Sequence, residues 1–423
     1  DIKDNDCVLM IDEPKTYAWI RASLTALRRC FRTNRIHIGM DEAHGVGLGE
    51  YYQKHGAVNR FELLNRHLNR VVDICKELGF KPIMWSDMFY RLGSKNNDYY
   101  DTDAVVPESA IAQIPDVALC YWDYYHTDEQ FYAGMLEGHR KMGKEVVFAG
   151  GIWTWSGILP HVRKTNATMY PALRACLKAG IGTVLATSWG DDGCETDYRL
   201  ALNQLPIYSE HVWMGENCTR AEVERMGERL TGLSEACFNA MGAFYADDED
   251  RRPGKGLFYC DPLYPLTEGL WDLTGYREGL EEGIKTLERH LDDSRCEYAW
   301  LAMRIALEKL NWVNELRPAY LRGDKAVVLA MANEKLPAMR ELYVKMMSVW
   351  REQWESGRKR NGWETICARL GAVIARLDDV QRILLRWSDG TIERVEELDE
   401  TPLPASRLCG RQDYHTMSFP QFR

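Results

Sequence analysis

From residue 16 to about 213 the chain alternates amphipathic stretches with short apolar runs. The runs are RIHIGM (35–40), KPIMWSDMF (81–89), VALCYWDYY (117–125), EVVFAGGIW (145–153) and GTVLATSW (182–189). Short, nearly continuous apolar runs separated by helical periodicity are the pattern of repeated βα units around a parallel sheet. Between the first two runs Leu64, Leu68, Val71, Val72, Cys75 and Leu78 recur at three- and four-residue spacing and stop at Gly79, which predicts a helix with a glycine C-cap. Further helices are predicted over 16–31, 129–142, 168–179 and 196–213.

Each run carries its polar or aromatic residues at its C-terminal end: Asp41 and Glu42, then Asp87, Trp122 to Tyr125, Trp153 and Trp155, and finally Trp189 and Asp191. Active sites of (β/α)8 barrels are built at that end of the strands. The expected fold is therefore α/β, the C-terminal part of a TIM (β/α)8 barrel, with about five of its eight strands. A helix stands before the first strand, so the chain is expected to begin inside the third βα unit. The alternative is an open, doubly wound sheet complete with five strands. Beyond residue 215 long amphipathic patterns take over, at 221–241, 277–291, 296–316, 325–355 and 363–387. They predict a partial barrel over 1–215 and an α-helical C-terminal domain over 216–423, with no structure assigned after Asp389.

Composition narrows the partners. A chain of 423 residues is long enough for two cores, and 63 acidic against 53 basic residues leave no basic stripe for nucleic acid. No run approaches the roughly 20 apolar residues needed to cross a bilayer, so no membrane partner is expected. The N-terminus lacks the basic and apolar regions of a signal peptide. The 12 cysteines are scattered without a CxxC pair, which suits free thiols in a reducing cytoplasm. Met339, Tyr343, Met346, Met347 and Trp350 form a helical stripe, read first as core and second as a subunit interface, which would make a homodimer.

The most informative stretch is RIHIGMDEAHGVGLGE, residues 35–50. In a strand Ile36, Ile38 and Met40 share one face, while His37, Gly39 and Asp41 share the other. Glu42 joins Asp41 only if the strand ends or bulges there. Two carboxylates that close cannot ionise with equal ease, and the division yields one proton donor and one anion. The plainer reading makes Asp41 a turn cap and Glu42 a solvated acid. Tryptophans at four strand ends weigh against it, because sugar rings stack on indoles, although any one of them alone would be core. His37 and His44 are read either as supports for the acids or as structural hydrogen-bonders. GVGLG (45–49) lacks the GxGxxG spacing and follows two acids, which disfavours a dinucleotide. Asp191, Asp192 and Asp197 cluster without a His or Cys set, so no metal is expected, and no nucleophile elbow is present.

HIGMDEAH, followed by IMWSDM, YWDYY, GGIWTWSG and TSWGDDG, resembles glycoside hydrolase family 20, the β-N-acetylhexosaminidases. The likeness is greatest to the exo-β-N-acetylglucosaminidase branch with a helical C-terminal domain, and it is strong over 35–193. The resemblance implies exo-acting hydrolysis of terminal N-acetylglucosamine or N-acetylgalactosamine by substrate-assisted retention, without a cofactor. It makes Glu42 the general acid and base, and Asp41 the partner of the 2-acetamido nitrogen. Tyr125, preferred over Tyr124, donates to the acetamido oxygen. His37, Trp85, Trp122, Asp123, Trp153, Trp189 and Asp191 complete the sugar-binding set. Two departures stand out: GGIWTW does not match the family's Tyr-x-Asp, and no residue supplies the arginine that the family takes from its first strand. The 423-residue chain on its own is therefore expected to be inactive or nearly so. The rival reading is a non-catalytic carbohydrate-binding protein or an inactive fragment of such an enzyme.

Overall fold

The computed structural model describes residues 2–191, 193–246, 253–263 and 275–401. It divides into two compact units, residues 1–150 with 168–187, and residues 151–167 with 188–423.

The first unit holds five strands: β1 (Arg35–His37), β2 (Lys81–Trp85), β3 (Ala118–Trp122), β4 (Val146–Gly151) and β5 (Val184–Thr187). Their order in the sheet is β1-β2-β3-β4-β5, and the registers of the first three pairs are parallel, with His37 opposite Ile83, Trp85 opposite Cys120 and Trp122 opposite Ala149. A doubly wound sheet reverses its strand order at a switch point. This order never reverses, and helices alternate with the strands, so the five strands are a stretch of barrel wall. All residues of β3 and β4 are buried, as their unbroken apolar runs demand. Helices Pro14–Cys30 and Arg60–Glu77 pack together through Tyr17, Leu24, Val71, Ile74, Cys75 and Phe80. β1 ends the sheet, and beside it runs a mostly apolar cavity of about 440 Å³.

The strands are shorter than the apolar runs. KPIMWSDMF is strand only to Trp85, and Asp87 already opens the helix Asp87–Gly93. Ser86 makes the break: its N–H and Oγ both donate to the Cys120 carbonyl, at 3.1 and 3.0 Å, and turn the chain out of the sheet. RIHIGM is strand only to His37, for reasons given below.

GVGLG is a clasp. Gly47 and Tyr51 donate their N–H groups to the Asp4 carboxylate at 3.2 and 2.6 Å, Glu50 donates its own to the Asp4 carbonyl at 2.9 Å, and Asn5 Nδ2 donates to the Gly45 carbonyl at 2.9 Å. A side chain at Gly45 would stand 2.6 Å from Asn5 Nδ2, and one at Gly49 would collide with the Asp4 backbone. The glycines thus admit the N-terminal segment rather than a phosphate.

The second unit is helical. Ser294–Leu321, Leu336–Gly357 and Trp363–Ser388 are its long members, and one core runs from Ile158 and Leu159 through Trp312, Tyr343 and Leu384 to Leu398. Met339, Tyr343, Met346 and Trp350 are buried in that core, and Met347 packs against it, so the stripe is core. The 221–241 pattern breaks at Gly232, whose φ of +74° caps the helix Arg220–Thr231. The 325–355 pattern passes through a π-helical turn, Met331–Lys335, just before Pro337, whose missing N–H an α-helix could not use. The pattern at 196–213 splits into Tyr198–Ala201, a 3-10 turn and Leu205–Met214. Among the described residues after Asp389 there is one further short helix, Glu396–Asp399, held where Arg317 donates to the Leu398 carbonyl at 3.2 Å and Tyr320 to Asp399 at 2.9 Å. Asp192, Cys409 and everything past 401 lie outside the described residues.

Buried charge organises the segment after Trp189. The Glu195 carboxylate meets Lys255 Nζ and Arg369 at 2.9 Å each and accepts from Tyr259 at 2.5 Å, with all three ionic side chains nearly inaccessible. Such a group is stable only because every charge has a partner. Among the described residues no helix is long and apolar enough to cross a membrane, and each cysteine is a free thiol.

Candidate active site

β1 stops because its backbone leaves the extended region. Gly39, Met40 and Glu42 have φ of +76°, +81° and +49°. Two of these residues carry side chains, for which a left-handed conformation costs about 1–2 kcal/mol each. Strain of this kind persists only where neighbours enforce it. Here the Gly39 carbonyl accepts from the Trp85 N–H at 3.0 Å, and the Glu42 N–H donates to Asp87 Oδ2 at 2.9 Å. The kink frees Asp41 and Glu42 from strict alternation and leaves both exposed at the C-terminal end of β1.

Asp87 is the hidden third carboxylate. It is fully buried at the end of β2 and accepts from both the Glu42 N–H and, at 3.2 Å, the Trp122 indole N–H. One side chain just past β2 thus holds both the backbone of the acid that follows β1 and the indole at the end of β3. Burial pushes its carboxyl up to about 7, against the pull of those two donors. Asp41 is also raised, first by partial desolvation of its carboxyl and then by the neighbouring charge of Glu42, while a hydrogen bond from its own backbone lowers it. Glu42 Oε1 accepts from the Tyr99 hydroxyl at 2.9 Å, and the same hydroxyl lies 2.9 Å from His44 Nε2. Tyr99 packs on Trp122 with ring centroids 5.3 Å apart.

The raised Asp87 carries a pH signature. Its folded value near 7 lies above that of an unfolded aspartate, so its proton favours the fold, fully at pH below about 4, and that contribution is lost as pH rises through 7. Asp87→Asn keeps the site neutral throughout. Melting curves should show the variant gaining on the wild type between pH 4.5 and pH 8, by about 3 kcal/mol, over any constant cost of the altered hydrogen bonds. Parallel stability curves across that range would contradict the assignment.

The other expected site residues fall as follows. His37 packs tilted against Trp85, with centroids 4.1 Å apart, and its Nδ1 accepts from the Gly39 N–H at 3.1 Å. Burial lowers its pKa to about 4, so the ring is neutral with its proton on Nε2. Trp122 is buried, with Tyr124 stacked on it at 5.4 Å and Tyr125, exposed, at 6.4 Å. Asp123 is buried, and its carboxylate binds the Tyr121 hydroxyl at 2.8 Å, His126 Nδ1 at 2.7 Å and the Tyr125 N–H at 2.9 Å. It braces the loop rather than offering oxygens to a ligand. In the second unit Trp153 has no accessible surface and stacks on Trp155 at 4.4 Å, so it packs and shows no face for a sugar. Trp189 is 37% exposed, with its carbonyl accepting from Thr154 Oγ1 at 2.7 Å, and Asp191 is exposed.

Sequence reasoning names Asp87 at a strand end without giving it a role, because its partners become visible only in the sheet, and it misses Tyr99 altogether. Tyr99 comes from the polar loop after the helix Asp87–Gly93 and carries no signal of its own.

Comparison with known proteins adds an independent finding. Residues 242–416 match the model of the glycoside hydrolase 20C C-terminal domain, so this part of the chain is similar to that domain. No curated protein matches the chain. Among solved structures, one described as a "GH138 enzyme targeting pectin rhamnogalacturonan II" is similar with a TM-score of 0.46 and 9% identity, over 90% of this chain and 54% of that one. The chain therefore spans about half the length of that enzyme.

Proposed function

We propose that the protein is a glycoside hydrolase acting as an exo-β-N-acetylhexosaminidase by the substrate-assisted retaining route. The observation that carries this reading is the pair Asp41 and Glu42, presented on a kinked strand end and anchored through Asp87 to Trp122. The similarity of residues 242–416 to the glycoside hydrolase 20C C-terminal domain supports it from a different part of the sequence.

In this proposal Glu42 protonates the glycosidic oxygen as the C1–O bond breaks. The substrate's own acetamido carbonyl attacks C1 and forms an oxazolinium ion, and Asp41 holds the acetamido N–H and offsets the developing positive charge. Glu42, now a carboxylate, removes a proton from the water that reopens the ring. Trp85 and Trp122 supply apolar walls, and Tyr125 donates to the acetamido oxygen. Free thiols throughout the described residues fit a reducing, cytoplasmic setting.

The test is substrate dependence in the full-length protein. Chromogenic β-N-acetylglucosaminide or β-N-acetylgalactosaminide should be cleaved with the β-anomer released first, seen by proton NMR. The corresponding β-glucoside, lacking the acetamido group, should be cleaved at least about 100-fold more slowly. Equal rates on the glucoside would remove the substrate-assisted mechanism, and no cleavage of any of them would remove the enzyme.

A further inference from the structure

The Tyr99 hydroxyl is 2.9 Å from both Glu42 Oε1 and His44 Nε2. A phenol has one proton and can give it in only one direction. If it is given to Glu42, the phenol oxygen must be satisfied by a proton on His44 Nε2. His44 can provide one while neutral, and burial and the Arg91 guanidinium hold it below its ordinary pKa. We propose that Tyr99, oriented by His44, is a positioning residue that occupies Glu42 Oε1 and leaves Oε2 as the oxygen that hands its proton to the leaving group. This inference rests on the reading of Glu42 as the proton donor.

The surroundings fit a fixed device. Glu42 is already pinned through its backbone to Asp87, so its side chain begins from a defined point. The His44 N–H donates to the Glu42 carbonyl at 2.7 Å, and the His44 carbonyl accepts from Arg60 at 2.5 Å, which closes a tight turn around the acid. The Tyr99 ring lies against Trp122 on one side and meets the Arg91 guanidinium 5.0 Å from its centroid. Arg60, Arg91, Asp41 and Asp87 are the other charged groups around the trio.

The chemistry gives this arrangement a purpose. When Oε2–H transfers its proton to the glycosidic oxygen, the electron pair of the C1–O bond leaves with that oxygen and Glu42 becomes a carboxylate. The new negative charge is shared with Oε1, where the Tyr99 O–H already points. A charge-assisted hydrogen bond strengthens there without any reorganisation, and it persists until Glu42 recovers a proton from water.

The experiment compares leaving groups in the full-length protein. N,N′-diacetylchitobiose needs its leaving oxygen protonated, whereas a 2,4-dinitrophenyl β-N-acetylglucosaminide departs without help. Tyr99→Phe should lower kcat/KM on the first by about tenfold or more and on the second by less than about threefold, with the inhibition constant for N-acetylglucosamine unchanged within twofold. His44→Leu should reproduce this pattern, and it keeps the test readable should Tyr99→Phe fail to fold. His44→Gln, whose amide can still donate, should recover most of the loss. Equal losses on both substrates, or no loss on either, would overturn the proposal. Glu42→Gln is assayed alongside: if it stays active on chitobiose, the proton-donor reading itself fails, and if it is dead while Tyr99→Phe is normal, only the present inference fails.

Discussion

Glu42→Gln is expected to abolish turnover of any N-acetylhexosaminide whose leaving group must be protonated. The amide keeps the volume and can still accept from Tyr99, so the fold and the carbonyl geometry at residue 42 should survive. What disappears is a transferable proton, and general acid catalysis accounts for about 10²–10⁴ in rate. The same residue serves as base in the second half-reaction, so the loss in kcat should lie at the upper end of that span. Steady-state kinetics on diacetylchitobiose with a matched melting curve would measure it. A variant that folds normally and retains more than about a tenth of wild-type activity would refute the role.

The second large effect is at Asp41. Asp41→Ala removes the anion that faces the acetamido nitrogen and the cationic ring it becomes, and the loss of one such electrostatic stabiliser costs about 10²–10³ in kcat. Asp41 works only when ionised, and partial desolvation together with Glu42 raises its pKa. The acidic limb of the kcat profile should therefore lie above the ordinary aspartate range. In Asp41→Asn that limb should vanish along with most of the rate, because an amide can orient the substrate but cannot carry the charge. An unchanged acidic limb in Asp41→Asn would exclude Asp41 as its origin.

Much of this architecture is legible in the sequence, for identifiable physical reasons. Strands buried on both faces must be apolar throughout, so the runs of β3 and β4 stand out most clearly against periodic helices, and barrel rules supply their neighbours. The ends are less legible. RIHIGM looks extended to residue 40, yet Gly39 and Met40 turn left-handed, with the Gly39 carbonyl held by the Trp85 N–H and the Glu42 N–H just beyond held by Asp87. Alternation places Tyr125 on the inward face, but β3 ends at Trp122, after which period-two reasoning no longer applies, and it is Tyr124 that stacks on the indole. The glycine run at 45–49 is ambiguous in one dimension because its partner, Asp4, lies more than 40 residues away. Tyr99, 57 positions from Glu42, is unreadable for the same reason. Pairings of that range are a property of the folded sheet and leave no local periodicity.

The grip of Asp4 on residues 47, 50 and 51 has a practical corollary. Removing the Asp4 carboxylate, as Asp4→Ala would do, strips the N–H groups of Gly47 and Tyr51 of the acceptor that braces them. Most of the hydrophobic interior would stay intact, so such a preparation should still look native by circular dichroism while its acids wander. A full-length sample that is well folded yet weakly active should be checked by mass spectrometry for a nick around Asp4 before any blame falls on the chemistry.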